Sequence, residues 1–310
     1  MTTVFIDGSA GTTGLRIHDR LSSRKDLKIL TLPENLRKDK HAREEILNQA
    51  DVAFLCLPDS AAVEAADLVH SDTIVIDTST AHRTETGWDY GFPELHGLRE
   101  KIAASHRIGN PGCHASGFIS LVEPLVHENL ISADTALTCF SVTGYSGGGK
   151  SMIAEYEGSE RASALDAPRQ YALGQAHKHL KEMVILSGLR VTPFFCPIVS
   201  DYYSGMAVTV PLFRKDLKGS PEDIKQLYQH CYHSAVVHYE EYNGSMIAGN
   251  SLSGRDDMEI TVAGNEDRIL LISTFDNLGK GASGAAIQNM NIILGLPETT
   301  GLNVPMADPA

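Results

Sequence analysis

Four short apolar runs near the start of the chain alternate with longer amphipathic stretches. The runs are Val4-Phe5-Ile6, Leu27 to Leu32, Val52 to Leu57 and Thr73 to Asp77. Runs that are apolar at almost every position predict strands buried on both faces, as in a parallel sheet. Between them, residues 12–22, 40–49 and 60–69 carry the spacing of helices. Strand, helix and strand in repeated succession predict a doubly wound α/β sheet.

The pattern changes after residue 110. Phe118, Leu121, Val122, Leu125, Val126 and Leu130 recur at helical spacing over 114–130. Longer strands are expected at 135–143, 190–192, 207–212 and 269–274, giving an α+β region with a mixed or antiparallel sheet. A last helix is expected over 284–295, ending at Gly295. Apolar positions in Met206 to Val210 suit either burial within one subunit or a sheet-to-sheet contact between subunits.

With 310 residues the chain is long enough for two domains, and 42% hydrophobic residues can fill their cores. Lys plus Arg is 26 against Asp plus Glu 39, a formal charge of −13. That balance argues against nucleic-acid binding, which needs a basic face. No stretch approaches the ~18 apolar residues of a membrane span. Met1 to Asp7 lacks the basic start and apolar run of a signal peptide, and five cysteines in a large core-forming chain suit reduced thiols. A cytoplasmic protein is expected.

Gly8-Ser9-Ala10-Gly11-Thr12-Thr13-Gly14 follows the first strand and opens the first helix. Glycines there let main-chain amides approach a pyrophosphate, and a helix N-terminus offers unpaired N–H groups. A turn that merely joins strand to helix is the alternative, but the position in the series favours dinucleotide binding and a Rossmann-type domain. Arg37 and Lys38, after the second strand, favour a 2′-phosphate and hence NADP(H) over NAD.

Asn110-Pro111-Gly112-Cys113 is a tight turn before a helix. The positive end of a helix dipole stabilises a thiolate at Cys113, the form that attacks acyl carbon. Cys56, Cys139, Cys196 and Cys231 lie in apolar or helical runs and read as inert thiols. His114, next to Cys113, points elsewhere on the helix, because neighbours diverge by about 100°. His177-Lys178-His179 is the better source of an acid–base group. No second Cys/His cluster with ligand spacing is visible, so no metal is expected there.

Taken together, these motifs resemble N-acetyl-γ-glutamyl-phosphate reductases of the shorter form, over nearly the whole chain. Gly8 to Gly14 resembles the family's nucleotide loop, and Asn110 to Cys113 its catalytic-cysteine motif. Further similar stretches are Ile76 to Arg83, Tyr90 to Leu95, Gly144 to Lys150, His177 to His179, Asp276 to Ala282 and Gln288 to Asn291. Lys150 stands where the longer form has arginine, and Lys181 where the family often has proline.

The resemblance implies NADPH-dependent reduction of an acyl phosphate to an aldehyde, with release of phosphate, in arginine biosynthesis. Cys113 would carry a thioester, and His179 or His177 would act as the acid, with His179 the first choice. Asn110, Lys150, Arg83 and Arg161 are candidates for holding substrate, and Gly281 for contacting cofactor. The domains would be 1–112 with 281–310 for NADP, and 113–280 for catalysis and homo-oligomer contacts. An aspartate-semialdehyde dehydrogenase shares the cysteine motif and is the nearest alternative. A cysteine–histidine hydrolase would have no use for the glycine loop. A non-catalytic NADP-binding sensor would show no turnover.

Overall fold

The computed structural model describes residues 1–70 and 72–305. They fall into two compact units. The first comprises residues 1–93, 97–111 and 282–302, and the second 94–96, 112–281 and the described residues from 303 onward.

The first unit holds six parallel strands: β1 (Thr2–Asp7), β2 (Leu27–Leu30), β3 (Val52–Leu55), β4 (Ile74–Asp77), β5 (Asp89–Tyr90) and β6 (Arg107–Gly109). Their order across the sheet is β2-β1-β3-β4-β6-β5. Helices α1 (Thr12–Ser22), α2 (Lys40–Gln49), α3 (Asp59–Asp67) and α4 (Leu98–Ala103) connect them. Successive strand residues point to opposite faces. Val4, Ile6, Val52, Phe54 and Ile76 therefore pack with Ile17 and Leu21 of α1, while Phe5, Ala53, Leu55 and Val75 pack with Ile46 and Leu47 of α2. Each Val, Leu, Ile or Phe among them contributes about 1.5–3 kcal/mol by leaving water. Two buried faces explain the near-continuous apolar runs. The chain leaves β1 in one direction to β2 and later in the other to β3, so the carboxyl end of β1 is a topological switch point.

The second unit is built on a mixed seven-stranded sheet. Its elements are α5 (Cys113–His127), β7 (Thr138–Gly144), α6 (Gly149–Glu157), β8 (Arg169–Gln170), α7 (His179–Ser187), β9 (Phe194–Ser200), β10 (Met206–Phe213), α8 (Pro221–Cys231), β11 (Val237–Tyr239), β12 (Met258–Gly264) and β13 (Arg268–Phe275). The strand order is β11-β12-β13-β10-β7-β9-β8. Helix α5 lies directly on this sheet: a Cβ on Gly117 would stand 2.5 Å from a methyl of Val208 and 2.8 Å from Oγ of Ser273. Pro124 interrupts the hydrogen bonding of α5, because it has no N–H for the carbonyl of Ser120. The hydroxyl of Tyr232 donates to that carbonyl at 2.6 Å, and Tyr228 donates to the next one, on Leu121. The chain then returns to the first unit, where α9 (Gly284–Ile293) packs Ile287 and Met290 into the α1 side of the core.

Several expectations need adjustment. The run at 190–192 is not a strand; β9 begins at Phe194, immediately after Pro193. Strands β2 and β3 stop two residues early, at Leu30 and Leu55. Met206, Val208 and Val210 are buried within the unit. The opposite face of the sheet instead exposes Phe140, Phe194 and Phe213. The boundaries also shift: Gly112 and Gly281 group with the second unit, as do 94–96 and 303–305. Ion pairing between Glu94 and Lys280 at 2.7 Å, and hydrogen bonds between Asn303 and Asp256 at 2.8 Å, account for the last two. The expected tail of the first domain at 306–310 lies outside the described residues. No helix among the described residues is long and apolar enough to cross a membrane.

Candidate active site

In the first unit, Gly8 takes φ +85°, and a Cβ there would sit 2.3 Å from the carbonyl oxygen of Cys56. On Gly14 it would sit 2.4 Å from the carbonyl of Gly8. Both glycines are dictated by this close main-chain turn. Gly11 occupies the N-cap of α1 and supplies no side chain to its first amides. Thr12 and Thr13 form the first turn, so the helix end offers unpaired N–H groups to an anion. Beside the loop lies a cavity of about 330 Å³ lined by Gly8, Ser9, Ala10, Thr31, Arg37 and Lys38. The structure thus brings the loop and the two expected cations to one cavity. It adds a pair not foreseen: Arg43 donates to Oδ2 of Asp7 at 2.8 and 3.1 Å, buried at the end of β1.

In the second unit, Cys113 is the first residue of α5, half-buried, with Gly112 as the N-cap. A Cβ on Gly281 would stand 2.9 Å from Cβ of Cys113. Gly281, expected at the cofactor, therefore packs against the cysteine itself, in a π-helical turn at Gly279–Ser283.

His179 opens α7 and is buried. Its Nε2 lies 3.9 Å from Oε1 of Glu182, one turn along the same helix. The other oxygen of Glu182 accepts the N–H of Gly112 at 3.2 Å. One buried carboxylate thus joins the main chain before Cys113 to the histidine. His177 is half-buried and lies edge-on to His179, ring centres 4.7 Å apart, with its Nδ1 accepting the N–H of His179 at 3.2 Å.

His114 turns away from this pair of roles. Its Nδ1 meets Oγ of Ser141 at 2.6 Å and its Nε2 meets the hydroxyl of Tyr171 at 2.7 Å. Burial, reinforced by His177, pushes its pKa down to about 3. A neutral ring donates through one nitrogen and accepts through the other, so His114 is a fixed hub behind the site. Burial, and after it the negative charge of a Cys113 thiolate, push the Tyr171 hydroxyl well above the ordinary tyrosine range. The other cysteines are free, and burial lifts Cys56 to about 12 and Cys231 to about 11.

The expected anion-binding residues divide. Lys150 is exposed in the first turn of α6 and makes no hydrogen bond or ion pair among the described residues. Ser146, at the start of the glycine turn before it, is held by Asn277, which donates to Oγ of Ser146 at 3.1 Å and accepts from Gly205 N–H at 2.8 Å. Arg161 is instead held by Asp166 at 2.5 Å and Asp201 at 2.6 Å, so its charge is already met. Arg83 is buried and donates to the carbonyls of Asn110 at 2.8 Å and Thr78 at 3.1 Å, which makes it a brace for the turn. Asn110 is buried too, its amide donating to the carbonyl of Ala282 at 3.0 Å. These three side chains hold protein groups rather than standing ready for a ligand.

Sequence reasoning missed Glu182, Ser141, Tyr171 and the Glu94–Lys280 pair. Only Glu182 left a signal, the i, i+3 spacing from His179 on one helix face.

Comparison with known proteins agrees with this layout. Residues 3–105 match the family model "Semialdehyde dehydrogenase, NAD binding domain", and 113–277 match "Semialdehyde dehydrogenase, dimerisation domain". The chain is 43% identical over 317 residues to N-acetyl-gamma-glutamyl-phosphate reductase of Trichormus variabilis, covering 96% of this chain and 98% of that one. It is 44% identical over 311 residues to N-acetyl-gamma-glutamyl-phosphate reductase 2 of Pseudomonas putida, with the same coverage. Among solved structures, aspartate semialdehyde dehydrogenase from Francisella tularensis superposes with a TM-score of 0.71 at 14% identity, over 95% of this chain and 100% of that one. The enzyme with NADP from Candida albicans gives 0.68 at 16%, over 95% and 98%. These last two share the fold.

Proposed function

The chain belongs to the N-acetyl-γ-glutamyl-phosphate reductase family, and from that we propose that it reduces N-acetylglutamyl 5-phosphate to N-acetylglutamate 5-semialdehyde and phosphate with NADPH, in arginine biosynthesis. The observation that carries the residue assignment is Glu182, whose two oxygens face the N–H of Gly112 and Nε2 of His179.

The first turn of α5 favours the thiolate of Cys113, which attacks the acyl carbon and expels phosphate. Exposed Lys150, beside three glycines and at a helix start, takes the leaving phosphate or the substrate carboxylate. The nicotinamide cofactor, when bound, supplies the hydride that reduces the thioester. His179 gives a proton to the oxygen of the resulting thiohemiacetal and is oriented by Glu182. His177 keeps the main chain at His179 in place through its Nδ1. Collapse of the thiohemiacetal frees the aldehyde and returns the thiol.

The uncapped α1, the crowded glycines Gly8 and Gly14, and Arg37 and Lys38 at the cavity support NADP(H) as the cofactor. The first unit would then serve as the cofactor domain and the second as the catalytic and oligomerisation domain. The exposed Phe140, Phe194 and Phe213 on one sheet face support a homo-oligomer formed through that face. Five cysteines without a disulfide suit a reducing compartment, the cytoplasm.

The test is phosphate-dependent reduction of NADP⁺ by N-acetylglutamate 5-semialdehyde, with aspartate semialdehyde as the competing substrate. Activity with the first and loss in Cys113→Ser and His179→Ala, but not to the same degree in His177→Ala, support the reading. Preference for aspartate semialdehyde overturns the substrate, and activity retained in Cys113→Ser overturns the nucleophile.

A further inference from the structure

A second group of metal-binding side chain types converges at the C-terminal end of α5. His96 places Nδ1 3.1 and 3.2 Å from the two carboxylate oxygens of Glu123. His127, four residues after Glu123 and on the same helix face, brings its Nδ1 to 4.0 Å from Oε1 of that carboxylate. The two imidazoles stack with centres 3.7 Å apart and planes inclined by 11°. Their far edges face another carboxylate, since Oε1 of Glu128 lies 3.9 Å from Nε2 of each ring.

Charge makes this arrangement unusual. Two neutral imidazoles and two carboxylates carry a net charge of about −2. Among the described residues, no lysine or arginine forms an ion pair with Glu123 or Glu128. A divalent ion would meet the charge of the two carboxylates. The geometry also suits one: a nitrogen of each ring and an oxygen of Glu123 lie within 4.8 Å of one another. Ligands about 2.0 Å from a tetrahedral ion stand about 3.3 Å apart, so the distances fit, and binding would turn the two partly exposed rings out of their stack to aim their in-plane lone pairs at the ion.

We propose that His96, His127 and Glu123 bind one imidazole-preferring divalent ion of the zinc class. Glu128, 3.9 Å from each outer nitrogen, stands where outer carboxylates hold metal-bound histidines. Two nitrogens and one oxygen favour zinc, nickel or cobalt over magnesium or calcium, which prefer oxygen alone. Glu123 is mostly buried while the rings are 35% and 50% exposed, so the carboxylate is fixed and the ion enters from solvent, with water completing its shell. The ion ties residues 94–96 to the helix that begins at Cys113. Glu94, paired with Lys280, already anchors the same short segment.

Calorimetric titration of the chelator-treated Cys113→Ser protein with Zn²⁺ tests this, because a reactive thiolate is itself a zinc ligand. The expected result is one ion per chain, with binding weakened at least tenfold by either His96→Ala or His127→Ala in that background. Both rings are partly exposed, and circular dichroism of each variant establishes that the fold survives. Binding in either histidine variant as tight as in the Cys113→Ser parent, or no binding in the Cys113→Ser protein, would each overturn the proposal.

Discussion

Glu182 accepts the main-chain N–H of Gly112 at 3.2 Å while its second oxygen stands 3.9 Å from Nε2 of His179. Gly112 is the N-cap of the helix that starts at Cys113, so one side chain on α7 sets both the entry of α5 and the orientation of the proposed acid. This is the geometry expected of a positioning group: buried and aimed at two partners.

Glu182→Gln keeps the size of the side chain and an oxygen for Gly112 but removes the negative charge beside His179. kcat should fall by about tenfold or more, up to the 10²–10⁴ that a positioned acid supplies in full, while KM for the acyl phosphate changes little. Steady-state kinetics checks this. An unchanged kcat would assign Glu182 a purely structural role.

Acid stability should carry the mark of His114. Its folded pKa of about 3 lies below the ordinary 6.5, so below 6.5 the unfolded chain binds a proton that the folded chain does not. Stability is therefore full above 6.5 and falls as the pH drops towards 3, by up to about 1.4 kcal/mol per pH unit from this residue. Urea unfolding of the wild type and His114→Asn at pH 7 and pH 5 should show a smaller acid loss in the variant, by about 2 kcal/mol. Equal losses would contradict it.

Lys280 and Glu94 pair at 2.7 Å with side chains 0% and 4% exposed. Lys280→Met leaves a buried carboxylate without its ion partner and should cost about 3–5 kcal/mol. Adding Glu94→Gln should restore part of that, because a neutral amide is less costly to bury than an ion. Denaturant unfolding of the single and double variants measures the coupling. Simple addition of the two losses would show that the pair acts only through packing.

The parts of this structure legible in the sequence are those with local causes. Val4 to Ile6 followed by Gly8 to Gly14 marks a strand, a turn and a helix because each follows from neighbours in the chain. Cys113 is legible for the same reason, as Pro111 and Gly112 end one element and a helical apolar stripe starts the next. What escaped depends on distant partners. Ser141 and Tyr171 meet on His114 from 27 and 57 residues away, and no periodicity announces that. Lys280 reads as a surface charge until Glu94, 186 residues earlier, is placed beside it. Arg161 and Arg83 look like anion binders by type, and only the fold reveals that carboxylates or main-chain carbonyls already hold them. The short strands β5 and β6 carry too few residues for their alternation to register.

The central claim is an acyl group on one sulfur. The most direct measurement is intact-mass and peptide-map spectrometry of the enzyme given NADP⁺ and N-acetylglutamate 5-semialdehyde with phosphate withheld, so that the thioester accumulates. One N-acetylglutamyl group on the peptide that contains Cys113, absent in Cys113→Ser, is the result predicted. The same group on another residue, or turnover with no acylated protein in Cys113→Ser, would contradict it.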